Sequence, residues 1–166
     1  MTDRFEEYVA ARWAPLVRSA YMLGCQPAEA EDAVQDALFD AWKHWRRVQR
    51  AENVDAYVFR ILLNRLGRSR RSYLRTHRLT DDAESLETDT RAGKDSQAVL
   101  DRVDIRQRLL ALPRDQREVV VLKYLLDQPE ENIAQILKVP VGTVKSRGHR
   151  ALASLQSNFA AEGERY

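Results

Sequence analysis

Residues 129–155 read PEENIAQILKVPVGTVKSRGHRALASL, and this stretch decides the fold of the C-terminal half. A short amphipathic helix that carries Ile133 and Ala134 is followed by a turn at residues 138–140. A second helix then starts at Val141, and the small side chain of Ala134 allows the two helices to approach closely. The pattern predicts a helix-turn-helix.

The second helix of this motif would present polar and basic side chains near its start. These are Thr143, Lys145, Ser146, Arg147 and Arg150. Such side chains reach base edges and phosphates when a recognition helix enters the major groove of DNA. From the pattern alone, a helical hairpin with a solvated basic face remains the alternative.

Helical periodicity continues over most of the chain, and no segment has a convincing strand pattern. We predict an all-α protein of two small helical domains, residues 1–76 and 99–160, joined by a flexible linker at 77–98. Pro15 interrupts the first helix, which predicts a kink or two abutting helices. The second helix is expected from about Ala28 to Val48.

The charges are segregated, although the formal net charge is only +2. No acidic residue lies between Asp55, a candidate N-cap of the third helix, and Asp81. This gap holds Arg60, Arg65, Arg68, Arg70, Arg71, Arg75 and Arg78. The run favours contact with a polyanion such as nucleic acid over a merely solvated face, and such binding would be strongly salt-dependent.

Composition also excludes several kinds of functional site. Cys25 is the only cysteine, which excludes an intramolecular disulfide and a cysteine-rich zinc site. The three histidines show no metal-ligand or triad spacing, so we expect no metal, no cofactor and no enzymatic activity. The charged N-terminus is unlike a signal peptide, and no stretch approaches the roughly 20 apolar residues of a membrane span. We therefore expect a cytoplasmic protein without membrane insertion.

Three elements of the C-terminal half carry a family resemblance. Leu112-Pro113, Gln116–Val120 and the VGTVKSR-x-HRAL stretch from Val141 together resemble region four of the extracytoplasmic-function (ECF) sigma factors. The resemblance implies that the recognition helix reads the minus-thirty-five promoter element and that this region meets the polymerase β flap. Gly148 and the pair Gln128-Pro129 depart from the usual family pattern.

The N-terminal half resembles region two of the same family through AEDAVQDALFDAWKHW, residues 30–45, and DAYVFRILLNRLGRSRR, residues 55–71. For the first stretch, the resemblance implies docking on the β′ clamp helices of RNA polymerase by Asp32, Gln35, Asp36, Phe39 and Asp40. For the second stretch with its preceding loop, it implies binding of the minus-ten element by Asn53, Tyr57, Arg60, Asn64, Arg65, Arg68 and Arg71. Tyr57 could equally be a core aromatic, and the core is the favoured place for Trp42 and Trp45.

The resemblance implies an ECF-type sigma factor that binds core RNA polymerase and directs promoter recognition and transcription initiation. Trp13 with Tyr21–Gly24 is similar to the actinobacterial sigma-E-like subgroup. The family also implies an anti-sigma factor as an inhibitory partner. The alternative is a stand-alone helix-turn-helix transcriptional regulator, which would leave the acidic helix and the arginine-rich helix without a role.

Overall fold

The computed structural model describes residues 2–77 and 96–163, with side chains over 4–67, 104–158 and residue 160. Every described secondary-structure element is helical, as predicted. Most of the expected linker lies outside the described residues. The side chains of Arg68 and Arg71 also lie outside them.

The N-terminal half forms four helices: α1 Thr2–Met22, α2 Pro27–Lys43, α3 Trp45–Val48 and α4 Val54–His77. α1 continues through Pro15 as a single helix, so of the two predicted outcomes, a kink or two abutting helices, the second is wrong. Leu16 and Ala20, one and five residues after Pro15, are buried, and their packing offsets the roughly 3 kcal/mol that a proline costs inside a helix. The expected second helix is divided at His44 into α2 and α3.

Asn53 caps α4, because its Oδ1 accepts a hydrogen bond from the backbone N–H of Ala56 at 3.0 Å. The expectation that Asp55 is the cap is therefore wrong. Asp55 lies in the first turn instead, where it accepts hydrogen bonds from the Tyr8 hydroxyl at 3.0 Å and from Arg12 at 2.5 Å. These contacts fix the start of α4 against α1, and with it the loop that precedes α4.

The C-terminal half comprises α5 Ser96–Ala111, α6 Arg114–Val120, α7 Glu130–Leu137 and α8 Val141–Gly163, with a π-helical turn at Val121–Leu125 that continues α6. α7 and α8 form the predicted helix-turn-helix. Lys138 ends α7 in a left-handed conformation with φ of 56°, and the next backbone N–H bonds to the carbonyl of Ala134 at 3.1 Å. Ile133 and Val144 are fully buried where the two helices cross.

One buried core extends through both halves of the chain. It combines Val34, Val58 and Leu62 of the N-terminal half with Leu122 and Ile133 of the C-terminal half. α7 packs on α4, and the π-helical turn contacts α1. The two halves therefore form one packed body, in which the helix that was expected to bind the minus-ten element is partly covered by the helix-turn-helix.

Candidate promoter and polymerase surfaces

The recognition helix α8 turns a polar face outward. Thr143, Ser146, Arg147 and Arg150 share one side of the helix at spacings of three and four residues. Val144 and Ala151 lie on the buried side. Ser146 and Arg150 are exposed, and Thr143 and Arg147 are half-buried. The arrangement leaves the predicted DNA-contacting face of α8 open.

Two of the predicted DNA-binding cations are paired with acids of their own domain. Nε of Arg147 lies 3.2 Å from Asp115 at the start of α6. Lys145 points away from the polar face, and its ammonium lies 3.9 Å from Glu130, which also binds Lys123 at 3.0 Å. The hydrogen bond from Lys123 lowers the pKa of Glu130 and raises the pKa of Lys123. Glu130, at the N-terminus of α7, thus forms ion pairs with two lysines.

On α4, three of the seven residues expected at the minus-ten element share one side of the helix. Tyr57, Arg60 and Asn64 follow one another at spacings of three and four residues. Arg60 and Asn64 are exposed. Tyr57 is half-buried and packs against the core, and its role as a stacking face for DNA remains a prediction.

Asn53, in the loop before α4, already has partners at both ends of its amide. Its Oδ1 caps α4, and its Nδ2 lies 3.4 Å from Oε1 of Gln128 in the C-terminal half. Gln128 is buried, and its own Nε2 donates to the carbonyl of Leu126 at 3.1 Å. The loop expected to capture a promoter base is therefore in contact with the helix-turn-helix domain.

Arg65 lies off the row formed by the other α4 residues and turns toward α2. Its guanidinium binds Asp36 at 3.1 Å and Asp40 at 3.0 Å. Lys43 also reaches Asp40 at 2.7 Å. Hydrogen bonds from Lys43 and Arg65 hold the pKa of Asp40 below its ordinary value, so this carboxylate stays charged. Arg65 thereby joins the helix expected to bind DNA to the acids expected to bind polymerase.

The predicted docking face of α2 is exposed and carries two aromatic rings. Asp32, Gln35, Asp36 and Phe39 are exposed, and Asp40 is half-buried. Phe39 is 55% exposed, and Trp42 beside it is 52% exposed with its ring 6.0 Å away in a stacked arrangement. The expectation of a core position is thus wrong for Trp42. It is confirmed for Trp45, which is buried against Phe5 and Tyr8.

Spacing along α2 could have identified Trp42. Trp42 follows Phe39 by three residues, and three-residue neighbours share a helix face. Exposed aromatic pairs on a soluble protein indicate a binding surface, since monomers rarely leave such groups in water without a partner. Trp42 therefore belongs with the acids and Phe39 as part of the α2 face.

Within the described ranges, no cluster of His, Cys, Asp and Glu side chains could hold a metal ion. His149 is exposed on α8, and Nδ1 of His44 lies 3.1 Å from the carbonyl oxygen of Asp40. Cys25 is half-buried and forms no disulfide. None of the described helices has the length and apolar character needed to cross a bilayer.

Comparison with known families accounts for both halves of the chain. Residues 9–76 match the family "Sigma-70 region 2", and residues 102–155 match "Sigma-70, region 4". The RNA polymerase sigma-E factor of Streptomyces coelicolor is 32% identical over 157 residues, which cover 95% of this chain and 86% of that protein. The ECF RNA polymerase sigma factor SigL of Mycobacterium tuberculosis is 31% identical over 158 residues, 94% of this chain and 86% of SigL.

Two solved structures share the fold across both halves. The sigma factor RpoE of Bartonella quintana, in complex with the anti-sigma factor NepR, matches 93% of this chain and 95% of that chain at a TM-score of 0.80 and 28% identity. CnrH, in complex with the cytosolic domain of CnrY, matches 97% of this chain and 90% of that chain at a TM-score of 0.68 and 24% identity. With both regions present in order and curated relatives above 30% identity over nearly the whole length, the chain belongs to the ECF family of RNA polymerase sigma factors.

Proposed function

We propose that this ECF sigma factor docks on core RNA polymerase through the α2 face and presents α4 and α8 to promoter DNA. The proposal is supported chiefly by the two family regions, which occur in order in one chain. Asp32, Gln35, Asp36 and Phe39 of the first region are exposed, as are Ser146 and Arg150 of the second. The polymerase supplies the chemistry of transcription, and this chain supplies the choice of start site. A stand-alone regulator is not favoured, because it would have no use for region 2.

The docking step is assigned to the α2 face, defined by Asp32, Gln35, Asp36, Phe39, Asp40 and Trp42. The two exposed rings supply apolar area, and the carboxylates supply charge for a basic partner surface. Interface aromatics of this kind dominate binding energy in protein complexes. On this proposal the acids determine how the face is oriented, while Phe39 and Trp42 contribute most of the affinity.

The DNA contacts are divided between two forms of recognition. The polar face of α8 suits a major groove of duplex DNA, where Arg150 would bind a phosphate or a guanine edge. The α4 row of Tyr57, Arg60 and Asn64 suits unpaired DNA, since an aromatic face can stack on a base while arginine binds phosphate. To open the two DNA strands, the protein needs a surface on α4 that binds single-stranded DNA in addition to the α8 surface that binds the duplex.

Start-site mapping tests the function as a whole. Core RNA polymerase transcribes a promoter library with and without the added chain, and transcript 5′ ends are sequenced. We expect a new set of starts that share two sequence elements. If the chain binds core polymerase and yet no start changes on any promoter, the proposal is wrong.

The docking face is tested by the affinity of the full chain for core polymerase. Phe39→Ala and Trp42→Ala should each weaken binding by about tenfold or more, as is usual for interface aromatics. Arg18→Ala, an exposed change on α1, is the control and should leave affinity unchanged. Equal affinities for all four proteins would remove α2 from the docking surface.

We also propose an anti-sigma protein as a partner, because the related RpoE is described in complex with NepR and shares the arrangement of both halves. Such a protein would abolish start selection in the transcription assay when added in equimolar amount. An excess of the sigma chain would then restore the starts. A candidate partner that binds without affecting start selection would not fill this role.

A further inference from the structure

An ion pair between Asp115 and Arg147 lies at the edge of the α8 surface that is assigned to DNA. Nε of Arg147 lies 3.2 Å from Oδ2 of Asp115. The Arg147 side chain is 24% exposed, and the Asp115 side chain is 48% exposed. Partly exposed pairs add little to folding stability, because water screens the charges and ordering two side chains costs entropy. Folding stability alone therefore does not account for this pair.

Asp115 is fixed on its own helix, and that helix packs closely on α8. Oδ1 of Asp115 accepts a hydrogen bond from the backbone N–H of Gln116 at 3.0 Å, which leaves Oδ2 for Arg147. One turn further along α6, Cγ1 of Val119 lies 3.6 Å from the position that a Cβ at Gly148 would take. The carboxylate is therefore held in place by a contact between two helices, which positions a side chain more precisely than a loop does.

The ion pair leaves the outer edge of the guanidinium available to DNA. An arginine guanidinium carries five N–H donors in a planar fork, one on Nε and four on the two terminal nitrogens. The contact to Asp115 is made through Nε, and no other acid of the described residues lies within ion-pair distance of Arg147. The terminal nitrogens can therefore donate together to one planar pair of acceptors. O6 and N7 of guanine form such a pair in the major groove.

Lys145, at the other edge of the same surface, is held more loosely. Its ammonium lies 3.9 Å from Glu130, its side chain is 58% exposed, and Glu130 also binds Lys123 at 3.0 Å. An ammonium is a point charge without a fixed plane of donors, so it suits a phosphate and carries no base preference. Of these two cations, Arg147 is therefore the one whose geometry suits a base edge.

We propose that Asp115 is a positioning residue, which orients Arg147 toward a guanine of the upstream promoter element and restrains it from binding phosphates elsewhere. The inference rests on the proposed function, because it deepens the assignment of α8 to duplex promoter DNA. The carboxylate has two effects on the guanidinium. It orders the guanidinium before DNA arrives, which lowers the entropy lost on binding. It also offsets the positive charge, which weakens the attraction to DNA of any sequence.

The test compares holoenzymes assembled from core polymerase and the full chain, either unchanged or with Asp115→Asn or Arg147→Ala. The DNA is a promoter obtained by start-site mapping, together with variants in which each base pair of its upstream element is replaced in turn. The unchanged chain should prefer guanine at one position by about tenfold or more, as a bidentate arginine contact provides. Both variants should lose most of this preference at that position and at no other.

The double variant of Asp115→Asn with Arg147→Ala distinguishes positioning from a general loss of structure. If Asp115 acts through Arg147, the base preference of the double variant should equal that of Arg147→Ala alone. Asp115→Glu, which retains the negative charge, should recover part of the preference. Melting curves by circular dichroism should place Asp115→Asn within about 2 °C of the unchanged chain, because the lost pair is partly exposed.

A second measurement is the binding of the same holoenzymes to a DNA duplex without promoter elements at several salt concentrations. Asp115→Asn should bind more tightly at low salt, and its slope of log K against log salt concentration should steepen by about 0.9, the value for one further phosphate contact. Glu131→Gln is the control, because Glu131 is an exposed acid of α7 in none of the described ion pairs. It changes the net charge equally and should alter neither the slope nor the guanine preference.

Four results would overturn the inference. They are a promoter at which no base preference depends on Arg147, a guanine preference that Asp115→Asn retains, a loss in Asp115→Asn that adds to the loss in Arg147→Ala, and an equal change in Glu131→Gln. In each case, start selection by the unchanged holoenzyme leaves the proposed function standing. If the unchanged holoenzyme selects no start on any promoter, the proposed function is wrong and the inference is lost with it.

Discussion

Arg65 shows how a single side chain can link two surfaces. It lies on the helix assigned to DNA but binds Asp36 and Asp40 on the helix assigned to polymerase. We expect Arg65→Ala to weaken polymerase binding roughly two- to fivefold, because partly exposed ion pairs contribute up to about 1 kcal/mol. Titration of labelled core polymerase measures this effect.

The matched control is Arg60→Ala, an exposed arginine on the same helix with no contact to α2 among the described ion pairs. It should leave polymerase affinity unchanged and weaken only DNA binding. If both variants lost polymerase affinity equally, the affinity would depend on positive charge on α4. It would then not depend on how Arg65 positions Asp36 and Asp40.

Asp40 gives a pH dependence with a definite sign. Lys43 and Arg65 lower its pKa from the ordinary 3.8, so its contribution to stability is complete above about pH 4 and is lost as pH falls through the lower folded value. Urea unfolding should show Asp40→Asn to be less stable than the unchanged chain at about pH 6, by roughly 1 kcal/mol. The two should converge as the pH falls below 3.8 and through the lowered pKa of Asp40. A constant difference across this range would mean that the lost contact is not ionic.

The sequence pattern predicted a core position for both Trp42 of α2 and Trp45 of α3, and this is correct for Trp45 alone. Trp42 and Trp45 are three residues apart and equally apolar, so local pattern places both in the core. Trp45 is buried because Phe5 and Tyr8 of α1 cover it, while no described ring from another helix stacks on Trp42. The three-residue spacing from Phe39 could have placed Trp42 on the exposed face, but the burial of Trp45 depends on partners about 40 residues away in the chain, which periodicity does not reveal.

At the scale of elements, Gly148 weakens the recognition helix without being required by its packing. A Cβ added there would lie 3.6 Å from Cγ1 of Val119, an ordinary contact distance. We therefore expect Gly148→Ala to stabilise the chain by about 1 kcal/mol and to raise its melting temperature by about 2–4 °C. Thermal unfolding followed by circular dichroism checks this, and a lower melting temperature would show that the glycine relieves a clash.

The existence of the helices was predictable, and their ends were less so. The apolar spacing of Ile133, Ala134 and Val144 was sufficient to predict the helix-turn-helix. The break at His44 and the π-helical turn at Val121–Leu125 were not predicted. Both are local changes at helix ends or in helical period, where the boundaries of helices are least predictable from sequence. The domain limits at 76 and 99 remain predictions.

At the scale of the molecule, the shared core predicts that the two halves unfold together. All three tryptophans lie in the N-terminal half, so tryptophan fluorescence reports on that half alone. Leu122→Ala, in the C-terminal half, removes a side chain that is 1% exposed and should cost about 3 kcal/mol. The fluorescence midpoint should then fall by about 6–12 °C, together with the circular dichroism midpoint.

Leu152→Ala is the control, because Leu152 lies in the same half but is 38% exposed, and it should lower the midpoint by much less. Two separate transitions in Leu122→Ala, with the fluorescence midpoint unmoved, would show that the halves are thermodynamically independent. Sequence suggested two domains because apolar residues are sparse in the segment between them. The core that joins the two halves includes residues such as Leu62 and Ile133. These residues are far apart along the chain, so a local sequence pattern cannot predict that they share a core.

A core assembled from both regions has a consequence for how such proteins can diversify. Residues of α7 pack on α4, so a substitution that enlarges one side has to be accommodated by the other. A new promoter preference could be sought by exchanging only the helix-turn-helix for that of a relative. The exchanged α7 would then pack on an α4 whose side chains are not complementary to it. Such hybrids should need compensating changes along α4, so the two regions are expected to evolve as a matched pair.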